Sequence, residues 1–190
     1  SEEDAFETME QSLPYKHLIK AVGLDSSEKG NPPSKFQKVF EASVKEGYVP
    51  VAHAGEEGPA EYIWEALDLL KIARIDHGNN CLTDEVLVKR LVDEKIALTV
   101  CPLSNLELKV VDDLKDHPLK KMLNLGLKAT VNSDDPAYFG GYMNANFLQT
   151  AEALDLTQEE IKTLVKNSFE YSLLSDDEKQ KYLIQVENFE

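Results

Sequence analysis

The sequence predicts an α/β fold, the C-terminal portion of a (β/α)8 TIM barrel with five βα units, followed by C-terminal helices. Short apolar runs alternate with helical patterns, and the final part of the sequence carries helical patterns alone. Polar residues follow successive apolar runs, at the end that parallel strands bring to one edge of a sheet. A chain of 190 residues can bury a sizeable core, so we expect residues 1–190 to form a single domain.

Five apolar runs predict buried strands. They are apolar almost throughout and do not alternate, as is typical of parallel strands that are covered on both faces. The runs are LIKAVGLD (18–25), YVPVAHAG (48–55), ARIDHG (73–78), IALTVCP (96–102) and LKATVNSD (127–134). His53, His77 and Cys101 follow one another at intervals of 24 residues, which is the spacing of consecutive βα units.

Helix signals fill the segments between the runs. Ser34 and Gln37 have the spacing of a capping box, which predicts a helix start at Ser34. The apolar face of this helix then consists of Phe36, Val39, Phe40 and Val44. Residues 58–71 predict the next helix, with an inner stripe of Ile63, Ala66, Leu67 and Leu70. Thr83 predicts the N-cap of a further helix.

The later helices are marked by similar signals. Pro118 predicts a helix start and Gly126 the end of the same helix. Two more capping boxes follow the last apolar run: Thr157 with Glu160, and Ser175 with Glu178. The final part of the sequence is therefore predicted to be helical.

A barrel is favoured over an open doubly wound sheet by the position of the polar residues. They fall at or just after the C-terminal ends of successive runs: His53, His77, Ser104, Asn105, Asp134 and Asp135. Several strands that deliver polar groups to one rim are typical of a (β/α)8 barrel. The sequence also lacks a GxGxxG or P-loop motif. A closed barrel has eight strands in about 250 residues, so we expect an incomplete barrel that lacks its first strands.

Composition limits the classes of partner and compartment. A net charge of −15 disfavours nucleic acid and anionic membrane surfaces, and no apolar run is long enough to span a bilayer. A compact substrate that carries few negative charges suits a protein of this net charge better. Cys81 and Cys101 form no CxxC motif, and Cys101 in its apolar run is expected to be a buried, reduced thiol. We therefore expect a cytoplasmic protein, and the nucleus fits the same pattern.

Four motifs at the predicted strand ends carry groups suited to catalysis. In HAGE (53–56), His53 suits a zinc-like ion and Glu56 suits proton transfer, although a structural His and a helix-start Glu explain the same pattern. In RIDHG (74–78), His77 suits a general base or a satisfied core histidine, and Asp76 points to the other face of the strand.

The other two motifs are CPLSN (101–105) and SDDP (133–136). CPLSN offers two neutral hydrogen-bonding side chains, and a plain strand-to-loop turn is the favoured interpretation. In SDDP, Asp134 and Asp135 repel each other unless a cation or donor is near, and a helix N-cap is the alternative. His17 lies at the wrong strand end, and His117 in DHP predicts a surface cap.

Taken in order, HAGE, DHG, CPLSN and SDDP resemble the adenosine/adenine deaminase family of the amidohydrolase superfamily over essentially the whole sequence. GLDSSEKGNPPSKF (23–36) is similar to the adenine deaminase branch. The resemblance implies a barrel with one zinc ion per subunit and the hydrolysis of adenine to hypoxanthine and ammonia in purine salvage. The alternatives are adenosine or N6-substituted adenines as substrates, and a non-catalytic binding protein.

The resemblance also implies a role for each site residue. His53 and Asp134 become zinc ligands, and Glu56 becomes the proton donor to purine N1. His77 becomes the catalytic histidine that orients the attacking water, and Asp135 hydrogen-bonds the purine near N7. The family's first strand carries an HxH pair that this sequence lacks. We therefore expect this chain alone to be a fragment that binds zinc weakly and is inactive.

Overall fold

Strands and helices alternate along the chain in the computed structural model, which describes residues 1–189. The strands are β1 (Ala21–Leu24), β2 (Val49–Ala54), β3 (Arg74–His77), β4 (Ala97–Val100) and β5 (Lys128–Val131). The α-helices are α1 (Glu2–Ser12), α2 (Gln37–Lys45), α3 (Ala60–Glu65), α4 (Glu85–Asp93), α5 (Pro102–Glu107), α6 (Leu119–Asn124), α7 (Pro136–Phe139), α8 (Met143–Leu154), α9 (Gln158–Glu170) and α10 (Asp176–Glu187). Each strand lies inside its predicted run, so the predicted α/β class with C-terminal helices is confirmed.

The chain divides into two compact units, Ser1–Leu87 and Val88–Glu190. In the first unit, β1 pairs in parallel with β2, and β2 pairs in parallel with β3. The register sets Ala54 opposite His77, so the polar residues after β2 and at the end of β3 share one edge. Apolar side chains with no exposed surface form the core beneath this edge: Ala52, Ala54, Ile63, Ala66 and Ile75.

In the second unit, β4 pairs in parallel with β5, and helices α6, α8 and α9 pack against β5. The α9 side chain Asn167 donates a hydrogen bond from Nδ2 to the Ala129 carbonyl oxygen of β5, at 2.8 Å. Helix α10 packs on α9 through the stacked rings of Phe169 and Tyr182, whose centroids are 4.8 Å apart. None of the helices in the described part of the chain combines the length and hydropathy that crossing a bilayer requires.

Several predicted helix signals are confirmed. The inner stripe of residues 58–71 is buried, and this segment consists of α3 followed by a π-helical turn, Ala66–Leu70. Pro118 precedes α6, and Gly126 follows it in the left-handed conformation. Both C-terminal capping boxes form at the starts of α9 and α10.

Three helix predictions are wrong. Ser34 does not cap a helix, because its amide donates to the Glu65 carboxylate at 2.9 Å within a 3-10 segment and α2 begins only at Gln37. Val44 is 46% exposed, so it lies outside the apolar face of α2. Asp84, and not Thr83, accepts from the first amides of α4, because Thr83 still belongs to the 3-10 segment Asn79–Thr83.

Candidate active site

His53 lies at the end of β2, where the apolar strand reaches the polar edge of the first unit. Its side chain is 23% exposed, and its Nε2 atom lies 3.0 Å from Oδ1 of Asp25. Asp25 directly follows β1, so the parallel pairing of β1 and β2 brings the two residues together. A carboxylate on one ring nitrogen fixes the tautomer of a histidine and leaves its other nitrogen available to a metal ion.

Glu56 and His77 form a buried pair beside His53. Oε1 of Glu56 lies 3.2 Å from Nδ1 of His77, and the side chains are 9% and 2% exposed, respectively. His77 closes β3 with a φ of 68°, and Gly78 continues in the left-handed region with a φ of 80°. The chain therefore turns sharply just after the imidazole. A carboxyl–imidazole pair out of water suits proton transfer, because low polarity strengthens the interaction within the pair.

The three side chains are close enough to hold an ion. The rings of His53 and His77 are perpendicular, with centroids 4.8 Å apart. One potential ligand atom from each of His53, Glu56 and His77 lies within 4.8 Å of the others. Imidazole nitrogens and carboxylate oxygens are common ligands of zinc. The chemistry of this cluster therefore fits a zinc ion. His53 is the member that the resemblance assigns to the metal, whereas Glu56 and His77 are assigned to proton transfer.

Glu28 is a site residue that the sequence analysis missed. It is 6% exposed, although its neighbours from 25 to 30 are exposed. Its carboxylate accepts hydrogen bonds from three backbone amides of the segment that carries Glu56: Gly55 at 2.8 Å, Glu56 at 2.9 Å and Gly58 at 2.9 Å. The burial of Glu28 was not predicted, because SSEKGN (26–31) has the composition of a solvated loop.

Asp134 and Asp135 lie in the second unit, after β5. Asp134 is exposed and adopts a left-handed conformation with a φ of 54°. Asp135 is also exposed and occupies the N-cap position of α7, where its side chain accepts no capping hydrogen bond. Helix capping therefore does not explain the Asp135 carboxylate.

Two expectations for neutral polar residues of the second unit are wrong. CPLSN does not end in a loop, because β4 leads directly into α5, where Ser104 and Asn105 have no exposed surface. His117 is not a surface cap but is 3% exposed, with Nε2 3.2 Å from Oδ1 of Asn105. The Leu119 amide donates to Nδ1 of His117, and burial lowers the pKa of this histidine to about 4. His117 is therefore a neutral core residue.

Asp76 pairs with Arg74, whose Nε atom lies 2.8 Å from its Oδ1 atom, and its expected place on the other face of β3 stays a prediction. Cys81 and Cys101 are both buried thiols, so the burial expected for Cys101 is confirmed. A cavity of about 270 Å³ lies beside His53, and its lining combines polar and aromatic residues such as Ser26, Lys35, Phe36 and Tyr62. This cavity gives the first unit a concave space next to the candidate metal ligand.

The chain is similar in sequence to a protein family and to curated relatives of known name. The adenosine deaminase family model matches residues 1–189. The curated adenine deaminase of Acinetobacter baylyi is 61% identical over 186 residues, which are 98% of this chain and 56% of the relative. That of Hahella chejuensis is 56% identical over 189 residues, 100% of this chain and 57% of the relative. The chain thus spans about half the length of the curated relatives it matches.

Solved structures agree with this result. The crystal structure of adenine deaminase from Arthrobacter aurescens matches with a TM-score of 0.96 and 51% identity, over 98% of this chain and 57% of that chain. An amidohydrolase from Burkholderia ambifaria, solved with bound zinc, matches with a TM-score of 0.91 and 25% identity, over 98% of this chain and 53% of that chain. These neighbours are amidohydrolase barrels, so the predicted fold class, part of a (β/α)8 barrel, is confirmed.

Proposed function

Because the chain belongs to the adenosine deaminase family, we propose that it carries the acid–base pair and part of the metal site of an adenine deaminase. The reaction joins adenine and water to give hypoxanthine and ammonia. The observation that carries this proposal is the buried Glu56–His77 pair, 3.2 Å apart, beside His53. The names of the curated relatives that are 55% to 61% identical to the chain support adenine as the substrate.

The proposed metal is one zinc ion per subunit, held in this chain by His53 and Asp134. The imidazole of His53, with Asp25 at 3.0 Å from its Nε2, supports a ligand role, and the zinc in the Burkholderia ambifaria structure supports the identity of the ion. When bound, zinc lowers the pKa of a water molecule to about 7. Catalytic zinc sites use at least three protein ligands, so the proposal assigns the remaining ligands to residues outside this chain.

The residues of this chain then move the protons. Glu56 delivers a proton to N1 of the purine, so that the ring can accept electrons when water adds at C6. His77 orients the attacking water and takes a proton from it. The exocyclic amino group leaves C6 as ammonia after His77 passes this proton to it, and the C6 hydroxyl group then loses its proton to Glu56. Asp135 hydrogen-bonds the purine near N7 and holds its orientation during these transfers.

Measurement of hypoxanthine released from adenine tests this function. The protein would be purified at its full encoded length, and zinc would be removed with a chelator and restored. We expect zinc-dependent release in the wild type and in Glu57→Gln, and a loss of release in Glu56→Gln, the neighbouring substitution with the same change of charge. Absence of zinc-dependent turnover in the wild type would contradict the proposal and favour the non-catalytic binding protein.

Adenosine and N6-substituted adenines are the competing substrates. The cavity beside His53 includes Ser26 and Ser27, and we expect a ribose to contact this loop. Because the curated relatives that are 55% to 61% identical are adenine deaminases, we expect a higher kcat/KM for adenine than for adenosine or N6-methyladenine, each assayed separately. A strong preference for adenosine would assign the protein to the alternative reaction.

We also propose that the protein acts in the cytoplasm on a small purine, and not on nucleic acid or at a membrane. The net charge of −15 supports the choice of partner, because a phosphate backbone needs a basic surface. The two buried cysteine thiols support a reducing compartment. Fractionation of cells that produce the tagged full-length protein tests the location.

A further inference from the structure

We propose that Glu28 and Asn80 act together as positioning residues that hold Glu56 against His77. This inference rests on the proposed function, in which Glu56 transfers a proton. Both residues act through the backbone of the segment from Gly55 to Gly58, which carries Glu56. We call this arrangement the Glu28–Asn80 clamp.

Glu28 holds the amide side of the segment. Its Oε2 atom accepts from Gly55 and Gly58, and its Oε1 atom accepts from Glu56, at distances of 2.8 to 2.9 Å. Carboxylate oxygens bind amides more strongly than neutral acceptors do. One buried side chain therefore fixes both ends and the middle of the segment, from a position 28 residues before Glu56.

Asn80 holds the carbonyl side of the same segment. Its backbone amide donates to the Gly55 carbonyl oxygen at 2.8 Å. Its Nδ2 atom donates to the carbonyl oxygens of Glu56 and Gly58, at 3.2 and 2.8 Å. Asn80 comes three residues after His77, so the chain that carries the imidazole also holds the backbone that carries the carboxyl group.

The two glycines of the segment lie where the backbone passes close to neighbouring side chains. A Cβ atom on Gly58 would lie 2.4 Å from Oε2 of Glu28. A Cβ atom on Gly55, whose φ is 75°, would lie 2.5 Å from Cδ1 of Ile63. Glycine permits these close approaches but also leaves the backbone free to move unless it is bonded. The clamp removes this freedom around Glu56.

The consequence concerns the geometry of the acid–base pair. Glu56 presents its Oε1 atom 3.2 Å from Nδ1 of His77, and this distance depends on where its backbone lies. A displacement of about 1 Å in a catalytic group lowers a rate by about 10²-fold. A loosened clamp should therefore lower kcat and leave the binding of adenine largely unchanged, because Glu28 and Asn80 act on the backbone of Glu56 and not on the purine.

Glu28→Gln tests the clamp in the protein at its full encoded length. The substitution keeps the size of the side chain but turns an NH2 group toward amide donors. We expect kcat on adenine to fall by about 10²-fold, with KM within about threefold of the wild type. Zinc content per protein should be unchanged, because His53 lies outside the segment. Glu57→Gln is the matched control, since it also replaces one carboxylate by an amide but removes no acceptor of the segment's amides. Glu57 pairs at the surface with Lys29, at 3.5 Å.

Hydrogen–deuterium exchange gives a second readout that needs no activity. We expect faster exchange in the peptide containing residues 55–58 in Glu28→Gln and in Asn80→Asp, and unchanged exchange in Glu57→Gln. If Glu28→Gln fails to fold, Glu28→Asp keeps the charge and shortens the reach, and the same fall in kcat with a steady KM is expected.

The outcomes separate the two proposals. A wild type without adenine deamination contradicts the proposed function, and the exchange rates alone then support or overturn the clamp. Equal kcat in the wild type and a folded Glu28 variant overturns the clamp as a positioning device. Loss of zinc together with activity overturns it as well, because Glu28 would then act on the metal site.

Discussion

His77 and His117 are both buried histidines, and they differ in what their ring nitrogens contact. His77 lies in the first unit with Nδ1 3.2 Å from the Glu56 carboxyl group. His117 lies in the second unit between the Asn105 side-chain oxygen and the Leu119 amide. A carboxyl group can exchange a proton with imidazole, whereas an amide oxygen and a backbone N–H cannot.

Burial alone therefore does not distinguish a histidine suited to proton transfer from a structural one. Both hydrogen bonds of His117 require the neutral ring, with the proton on Nε2 and the lone pair on Nδ1. Its lowered pKa, about 4, agrees with this fixed state. His77 instead faces a carboxyl group, which is the partner that the proposed proton transfer requires. Function follows the partner of the imidazole, and the following experiments test that rule.

The largest expected effect is on turnover. His77→Gln should lower kcat on adenine by about 10² to 10⁴-fold, the range for loss of a general acid or base. His117→Gln removes a histidine of similar burial and should change kcat by less than about threefold, because its partners carry out no proton transfer. Steady-state kinetics of both variants at full encoded length provide the measurement. Similar losses of kcat in the two variants would break the comparison.

The next effect is a dependence of stability on pH that His117 should produce. Its pKa is about 4 in the folded chain and 6.5 in the unfolded chain. As pH falls through 6.5, His117 gains a proton in the unfolded chain but stays neutral in the folded chain until the pH approaches 4. The stabilising effect is thus complete above pH 6.5 and is lost progressively down to pH 4, by about 3 kcal/mol in total.

Urea unfolding between pH 7 and pH 4 measures this slope. His117→Gln should flatten the dependence of the free energy of unfolding on pH relative to the wild type. His17→Gln is the control, because His17 is exposed in the 3-10 segment Leu13–Leu18 and should leave the slope unchanged. A wild-type slope retained in His117→Gln would show that another group controls the transition.

A third effect concerns the stability of the segment that carries Glu56, the partner of His77. Gly55 and Gly30 have nearly the same backbone conformation, with φ values of 75° and 77°. An added Cβ atom would meet Ile63 at 2.5 Å from Gly55, whereas nothing lies within 4 Å of it at Gly30. Gly55→Ala should therefore lower the free energy of unfolding by about 1–3 kcal/mol more than Gly30→Ala. Equal losses in denaturant titrations would mean that the segment before Glu56 relaxes easily.

Local patterns predicted the strands and much of the site. Each strand lies in a continuous apolar run, and His53 and His77 were identified because each closes such a run. Glu56 followed because it stands three residues after His53. These features depend on residues that are close in the sequence, and burial of an apolar run is a strong signal for parallel strands.

Contacts between distant residues explain what local patterns missed. Glu28 binds amides 27 to 30 residues later, so nothing in its own segment reveals its burial. His117 is buried through a bond to Asn105, which lies 12 residues earlier, so the DHP pattern indicated a surface cap instead. Ser34 resembled a capping residue, but its amide is bound by the carboxylate of Glu65, 31 residues away.

The smallest effect tests whether Asn105 holds the neutral state of His117. Asn105→Ala removes the acceptor of the Nε2 proton and should lower the free energy of unfolding by about 1 kcal/mol, since the space left can admit a water molecule. Asn124→Ala on α6 is the matched control, because Asn124 is exposed and should change stability by less than about 0.5 kcal/mol. NMR of the His117 ring nitrogens should show the Nε2–H tautomer in the wild type and a mixture of tautomers in Asn105→Ala. An unchanged tautomer would mean that the Leu119 amide alone fixes the ring, because a donor on Nδ1 is sufficient to keep the proton on Nε2.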